Sequence, residues 1–285
     1  MEPLNPSVKL LMAYVIGLKF YPNVTNLYQE KIAVLQRIIN VVKECGIVVR
    51  SAQIHQVEHK EQDRRNLVTE YDLKVQSILQ QKLTEILPVA SFLGEEGDAH
   101  YNKDGYCFVC DPIDGTTNFV KCCNYSAISV ALLKDGKPIL GVVYNPYLDE
   151  LFCAEKGKGA TLNGHPIHTT KDCLADSLST FGTNMPDMSK VNDLFDYVKK
   201  CYQVSLDVRT CGSAALALCN LACGRIGYFF EFKLSPWDYS AAALIVEEAG
   251  GIVKSKDFKD IDDYFQIRPI FIMANDEIFK NVPRL

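Results

Sequence analysis

The chain has 285 residues, of which 48% are hydrophobic and 23% are charged. This balance is ordinary for a globular protein and excludes collagen, a coiled coil and extensive disorder. The 30 basic and 35 acidic residues give a formal net charge of −5, which argues against a general nucleic-acid-binding surface or an anionic-membrane-binding surface. The length predicts one large domain or two halves that share a core.

The N-terminal residues 1–26 are predicted to be an extension without chemistry. Their apolar run at 10–18 is too short to span a bilayer, and it lacks the basic flank and the small-residue cleavage site of a signal peptide. From residue 27 onward apolar residues recur at helical spacing, which predicts a long amphipathic helix over 27–54.

A polar loop is predicted next, at 55–66, followed by a short strand at 67–69. The apolar positions after it again have helical spacing, which predicts a second helix. Asp72 lies near the start of this helix as a candidate cap, and Pro88 ends it.

From Tyr106 the pattern changes to short apolar runs separated by turn dipeptides such as Asp135-Gly136 and Asn145-Pro146. Such dipeptides between apolar runs are typical of hairpins, so an antiparallel meander is predicted. Its strands are 106–110, 125–133, 138–144 and 150–154.

Beyond residue 175 strands and helices alternate, which predicts an α/β layer. The predicted strands are 177–182, 204–208, 226–231 and 270–273, and the predicted helices are 189–202, 213–223 and 237–249. The whole is therefore predicted to be a layered mixed fold, with an α+β half at 27–175 and an α/β half at 176–285.

Eleven cysteines are present, and the spacing of Cys107 and Cys110, followed by Cys122-Cys123, is superficially that of a zinc site. However, Cys107 and Cys110 lie on a predicted strand, where residues three apart face opposite sides. Buried free thiols in a reducing cytosol are therefore predicted in preference to zinc.

The sharpest local motif is the segment 111–118, Asp-Pro-Ile-Asp-Gly-Thr-Thr-Asn. Pro112 keeps Asp111 extended, and the chain can then turn at Gly115 and begin a helix at Thr116. Two carboxylates beside free backbone N–H groups could bind a hard cation and a phosphate together. A polar Asx turn that closes the strand explains this segment about equally well.

Three further segments are candidates for the same site, and each also has a plain structural explanation. Gly94-Glu95-Glu96 follows an apolar strand and could be an exposed acidic turn. Trp237-Asp238 begins a helix, where an aspartate is commonly a cap. Gly212-Ser213-Ala214-Ala215 opens a helix whose amides could approach a ligand or simply pack closely.

In their order along the chain, these segments resemble the inositol monophosphatase family of magnesium-dependent, lithium-sensitive phosphatases. Asp72, Glu231 and the segment 248–251 also match the family pattern, and the resemblance covers about residues 27–280. It implies a layered αβαβα sandwich of the type shared with fructose-1,6-bisphosphatase, a cytoplasmic location and a homodimer.

The resemblance also implies two to three magnesium ions. The first ion would be held by Glu95, Asp111 and the Ile113 carbonyl, and the second by Asp111, Asp114 and Asp238. A third, looser ion would meet Glu95 through water. The residues implied in activating the attacking water are Glu95, Thr116 and Asp72.

The substrate contacts that the resemblance implies fall into two groups. Backbone N–H groups of Gly115 and Thr116 would hold the phosphate. The remaining implied contacts are Asp114, Arg209, Gly212, Ser213, Ala214, Glu231 and Asp238.

Hydrolysis of a small phosphorylated substrate, myo-inositol monophosphate, is therefore predicted, with neither nucleic acid nor membrane as a partner. A phospho-aspartate mechanism is rejected because its Asp-x-Asp spacing is one residue shorter than Asp111 to Asp114. Lys233 near the substrate rim keeps fructose 1,6-bisphosphate open, and other sugar or nucleotide phosphates also remain. A regulatory binding module on the same fold is the alternative from another class.

Overall fold

The computed structural model describes residues 22–60, 67–97, 101–184 and 188–284. Most of the predicted extension, residues 1–21, lies outside the described residues. The first described helix begins at Pro22 rather than at residue 27, and it ends at Arg50 rather than at residue 54.

Seven helices lie in these described ranges: α1 (Pro22–Arg50), α2 (Glu70–Ile86), α3 (Thr116–Val120), α4 (Val191–Val204), α5 (Ala214–Ala222), α6 (Pro236–Glu248) and α7 (Asp276–Asn281). The strands of the first half are β1 (Val57–His59), β2 (Leu67–Thr69), β3 (Ser91–Gly94), β4 (Tyr106–Asp114), β5 (Ala127–Lys134), β6 (Lys137–Asn145), β7 (Glu150–Glu155), β8 (Ala160–Leu162) and β9 (His165–Ile167). The strands of the second half are β10 (Leu178–Phe181), β11 (Asp207–Arg209), β12 (Tyr228–Leu234), β13 (Ile252–Lys254) and β14 (Arg268–Met273).

The elements form five layers, as predicted for an αβαβα sandwich. Within the described chain, β3 to β9 form a seven-stranded sheet in sequence order, in which only β3 and β4 pair in parallel. Helices α1 and α2 contact one face of this sheet, and α5 and α6 contact the other. A five-stranded sheet of order β11-β10-β12-β14-β13 follows on the far side of α5 and α6, and α4 packs against its β10 and β11.

Strand β4 shows how the sequence sets these layers. Cys107 and Val109 join the core that includes α5, α6 and the five-stranded sheet. Phe108 and Cys110 join the core beneath α1 and α2. The two cysteines therefore face opposite sides, as a strand requires.

All eleven cysteines lie in the described ranges, and all are free. The prediction of buried thiols is confirmed for Cys107 and Cys110 but is wrong for Cys122 and Cys123, which are exposed in the turn after α3.

Several short elements were not predicted. Strand β1 lies in the predicted polar loop and pairs antiparallel with β2, and β8 and β9 form a hairpin where only a turn was expected. Each is three residues long, which is too short for alternation to be visible in the sequence. Among the residues with a described structure, no helix is both long and apolar enough to cross a bilayer.

Candidate active site

The predicted site carboxylates meet where β3 and β4 end and α6 begins. Strand β4 continues to Asp114, so that Asp111 and Asp114 both belong to it and are only 2% and 6% exposed. Glu95 directly follows β3, and Asp238 lies in the first turn of α6. These residues are far apart in the sequence. The parallel pairing of β3 with β4 brings Glu95 close to Asp111 and Asp114.

Asp111 forms the Asx turn that the plain interpretation expected, and the turn does not exclude a metal-binding role. Its Oδ1 accepts a hydrogen bond from the Ile113 backbone N–H at 2.9 Å. The pairing of β4 with β5 shifts register between Asp111 and Asp114, around Pro112. The other oxygen, Oδ2, accepts no hydrogen bond from any described residue.

Asp114 is held by the start of α5, from the other half of the chain. Its Oδ1 accepts from the Ala214 N–H at 3.2 Å, and its Oδ2 accepts from the Ala215 N–H at 2.9 Å and from the Ser213 hydroxyl. Ser213 also caps α5. The N–H groups of Ala214 and Ala215 thus bind Asp114 in this structure, and the contact of Ala214 with a substrate stays a prediction.

A close backbone crossing lies beside Asp114, where Gly115 meets Gly212. Gly115 has φ of +88°, and a Cβ there would lie 2.9 Å from the Gly212 carbonyl oxygen. Asn118 ties the two segments together, since its Nδ2 donates to the carbonyls of Tyr125 at 2.8 Å and Cys211 at 2.7 Å. Asn118 belongs to the motif 111–118, but no local pattern in the sequence predicts these two hydrogen bonds.

Replacing Gly115 by alanine is expected to lower activity at least about tenfold and to destabilise the fold by about 1–2 kcal/mol. The added Cβ is strained by the left-handed backbone and collides with the Gly212 carbonyl, so the turn before α3 must move. Phosphate release and thermal unfolding measure the two effects.

Gly157→Ala is the matched control, since Gly157 has φ of +80° but nothing within 4 Å of an added Cβ. Equal losses of activity in the two variants would contradict a role for the crossing.

Asp72 contacts Thr116 from the first turn of α2. The cap of α2 is Thr69, not Asp72, which occupies the third helical position of a capping box. Asp72 Oδ2 accepts from the Thr69 N–H at 2.7 Å and the Thr69 hydroxyl at 2.6 Å. Its Oδ1 lies 3.4 Å from Thr116 Oγ1, which also lies 3.2 Å from the Ile113 carbonyl oxygen. Burial raises the pKa of Asp72 to about 6.

The half-buried Asp238 and the buried Glu231 complete the acidic groups of the site. Asp238 belongs to a capping box, in which its Oδ2 accepts from the Ser235 N–H at 2.7 Å. Glu231 lies against Gly182, and its Oε1 accepts from the Asn184 N–H at 3.1 Å. Burial raises the pKa of Glu231 to about 8.

The electrostatics of this group favour hard cations. Burial first, and then the like charges of Glu95 and Asp114, raise the pKa values of Asp111 and Asp238 well above the ordinary range. Buried carboxylates that repel one another need a compensating positive charge. Oxygen donors of this kind are the ligands that magnesium prefers, so the residues fit the implied ions.

Lys60, which the sequence placed in a solvated loop, supplies positive charge at the edge of this group. Its Nζ lies 2.8 Å from Glu95 Oε1 and 2.5 Å from Glu96 Oε1. Glu96 is fixed by Gln76, whose Oε1 accepts its backbone N–H at 2.9 Å. Among the described residues, no three or more carboxylate, histidine or cysteine side chains are already arranged around one point where an ion could bind.

A cavity of about 860 Å³ opens above these residues. The predicted site residues that line it are Glu95, Asp114, Gly115, Thr116, Gly212, Ser213, Ala214, Glu231 and Asp238. Asp72, Asp111 and Ile113 are buried and are not part of the lining.

Two predicted basic residues at the rim are not brought to the cavity. Arg209 is exposed and forms an ion pair with Asp207 at 2.6 Å instead of lining the cavity. Lys233 is also absent from the lining. It lies where the pairing of β12 with β14 shifts register, between Glu231 and Leu234. Lys121, which was not predicted, lines the cavity at the end of α3.

Comparisons with known proteins agree with this geometry. The sequence model described as "Inositol monophosphatase family" matches residues 27–281. Inositol monophosphatase 3 of Solanum lycopersicum is 37% identical over 231 residues, covering 75% of this chain and 83% of the relative. Nus factor SuhB of Escherichia coli (strain K12) is 36% identical over 200 residues, covering 69% and 74%. The crystal structure of the extragenic suppressor protein suhB from Bartonella henselae has a TM-score of 0.80 at 32% identity, covering 88% of this chain and 96% of that one.

Proposed function

The chain belongs to the inositol monophosphatase family, and from this premise we propose that it hydrolyses myo-inositol monophosphate or a closely similar small phosphate monoester with magnesium. The observation that carries the proposal is the burial of Asp111 and Asp114 close to the charge of the half-buried Asp238, beside the open carboxyl-lined cavity. Such a group is unfavourable without cations and becomes a binding site for a phosphate dianion with them.

The residues that would hold the ions are Glu95, Asp111, Asp114, Asp238 and the Ile113 carbonyl. Bound magnesium would supply charge neutralisation and a more acidic water at the phosphorus. The homodimer and the cytoplasmic location implied by the resemblance stay predictions.

The chain's own groups position the reactants. Thr116 and Asp72 form a hydrogen-bonded pair that can orient a water and accept its proton through the threonine hydroxyl. Gly115 and Thr116 line the cavity at the turn, where their N–H groups can hold the phosphate. Glu231 is expected to accept a hydrogen bond from a substrate hydroxyl, since its second oxygen, Oε2, accepts no hydrogen bond from the described residues.

Asp72→Asn is expected to lower kcat by roughly 100-fold or more with little change in KM, because the amide cannot take up a proton. In the wild-type protein the rate should fall as the pH drops through about 6, where the Asp72 carboxyl becomes protonated. A bound cation lowers that pKa, so this acid limb lies at or below pH 6. A pH–rate profile measures both effects, and an unchanged profile in the variant would refute the role of Asp72.

The direct test is magnesium-dependent release of phosphate from a panel of esters: inositol monophosphates, fructose 1,6-bisphosphate, histidinol phosphate and adenosine phosphates. The proposal expects the largest kcat/KM with an inositol monophosphate and strong inhibition by lithium. A larger kcat/KM for a bisphosphate would change the assigned substrate but not the proposed mechanism of hydrolysis. Absence of any magnesium-dependent release would overturn the function.

A second candidate is a macromolecular binding role on the same fold. The observation that favours it is that several relatives carry the name Nus factor SuhB. In cells that lack the protein, the Asp111→Asn variant tests this role. Rescue of the deletion phenotype by a variant without phosphatase activity would support the binding role, and failure of rescue would support the enzymatic role.

A further inference from the structure

A second acidic residue of α2, outside the proposed metal-binding group, contacts the segment that carries Lys60. Glu70 is the first residue of α2, and its carboxylate reaches 15 residues back along the chain. Its Oε1 accepts from the His55 backbone N–H at 2.7 Å, and its Oε2 accepts from the Gln56 backbone N–H at 3.1 Å. One carboxylate thus binds two consecutive amides, a charge-assisted arrangement that fixes the direction of the strand that follows.

Among the described residues, few other contacts hold this strand. All three residues of β1, Val57–His59, are exposed, and its strand partner is only the three-residue β2. A neighbouring contact supports the same place, since the Gln53 N–H donates to the Tyr71 hydroxyl at 3.0 Å. Burial therefore contributes little to the position of β1, which depends on its pairing with β2 and on the contacts from α2.

The residue directly after β1 is Lys60, whose ammonium group bridges Glu95 and Glu96. Val57 and His59 of the same strand line the cavity. Glu70 therefore binds the backbone just before β1, and β1 in turn determines where Val57, His59 and Lys60 lie at the site.

We propose that Glu70 is a positioning residue that anchors β1 and thereby holds Lys60 against Glu95 and Glu96 at the mouth of the site. The proposal rests on the proposed function for its kinetic consequence, while its structural consequence is independent of catalysis. Glu70 itself touches neither the cavity nor the proposed metal-binding carboxylates.

The experiment compares Glu70→Gln with Glu85→Gln, a control on the same helix whose exposed carboxylate accepts a hydrogen bond from the Gln81 side chain. The neutral amide can accept only one of the two N–H groups and loses the charge assistance. Amide exchange at His55 and Gln56, followed by NMR on the full chain, should become at least about tenfold faster in Glu70→Gln only. Unchanged protection of these two amides would overturn the anchoring, whether or not the protein is a phosphatase.

The kinetic arm uses a double-mutant cycle with Lys60→Met. Glu70→Gln alone is expected to lower kcat/KM or to raise the magnesium half-saturation concentration roughly three- to tenfold, at an unchanged unfolding temperature. In the Lys60→Met background the same change should have almost no further effect, because the group that Glu70 positions is gone. An undiminished effect in that background would overturn the action through Lys60, whereas wild-type protein without magnesium-dependent phosphatase activity would refute the proposed function alone.

Discussion

Asp111→Asn is expected to abolish magnesium-dependent turnover and at the same time to stabilise the metal-free protein. Asp111 is one of the carboxylates that would hold the ions, and even partners outside the coordination shell contribute about 10- to 100-fold to metal affinity or activity. A loss above about 100-fold is therefore expected. The asparagine side-chain oxygen can still accept the Ile113 N–H, so the local turn is retained.

The stabilisation is the less obvious half of this result. Burial and the charges of Glu95, Asp114 and Asp238 all disfavour the ionised form of Asp111, so removing its charge relieves the metal-free fold. Thermal unfolding in EDTA should give a higher midpoint for the variant, and added magnesium should shift that midpoint less than in the wild-type protein.

Asp196→Asn, a neutralisation of an exposed aspartate on α4, is the control and should leave both properties unchanged. Near wild-type turnover in Asp111→Asn would refute the metal-binding role.

The second large effect is a stability that falls as the pH rises when magnesium is absent. Burial raises the pKa of Asp114 to about 6 and that of Glu231 to about 8. The folded protein therefore keeps protons that the unfolded chain releases near pH 4, so the stabilisation is complete below pH 4 and is lost as the pH rises through 6 and 8. For Asp114 alone the loss is about 3 kcal/mol, at about 1.4 kcal/mol per pKa unit.

Thermal unfolding in EDTA at pH 4 to 8 measures this loss, which should lower the midpoint by roughly 5–10 °C. Magnesium should offset most of it at pH 8, because cations bind the ionised carboxylates. Glu231→Gln should flatten the dependence between pH 7 and 8 while keeping an acceptor for the Asn184 N–H. A metal-free stability that rises from pH 5 to 8 would contradict the burial of these charges.

The order of the layers could be predicted because each half of the chain has a distinct local pattern. Turn dipeptides between apolar runs specify the meander, and the alternation of Cys107 to Cys110 across β4 already shows that both faces of the first sheet are covered. The elements that escaped prediction include three-residue strands such as β1 and β8, which are stabilised by pairing with neighbours and not by their own periodicity. The six-residue helix α7 also escaped prediction.

The site was predictable where the residues are consecutive and not where the fold brings them together. Asp111 and Asp114 follow from one motif, whereas the Lys60 contacts with Glu95 and Glu96 span 35 and 36 residues and have no sequence signal. The sequence did contain an indication that Arg209 would not line the cavity. Asp207 lies two residues before it on β11, and residues two apart on a strand share a face, so an ion pair was the available partner.

The capture of Asp114 by the start of α5 has a consequence for how the protein acquires its activity. The contact joins residues about 100 positions apart. The entropy cost of closing so long a loop is offset only when the two sheets dock and their contacts form. A chain truncated at residue 175 would retain Glu95, Asp111 and Asp114 yet lack every donor that orients Asp114. Catalytic competence in this molecule is thus a property of the completed long-range topology, and it reports on the final stage of folding and not on any one segment.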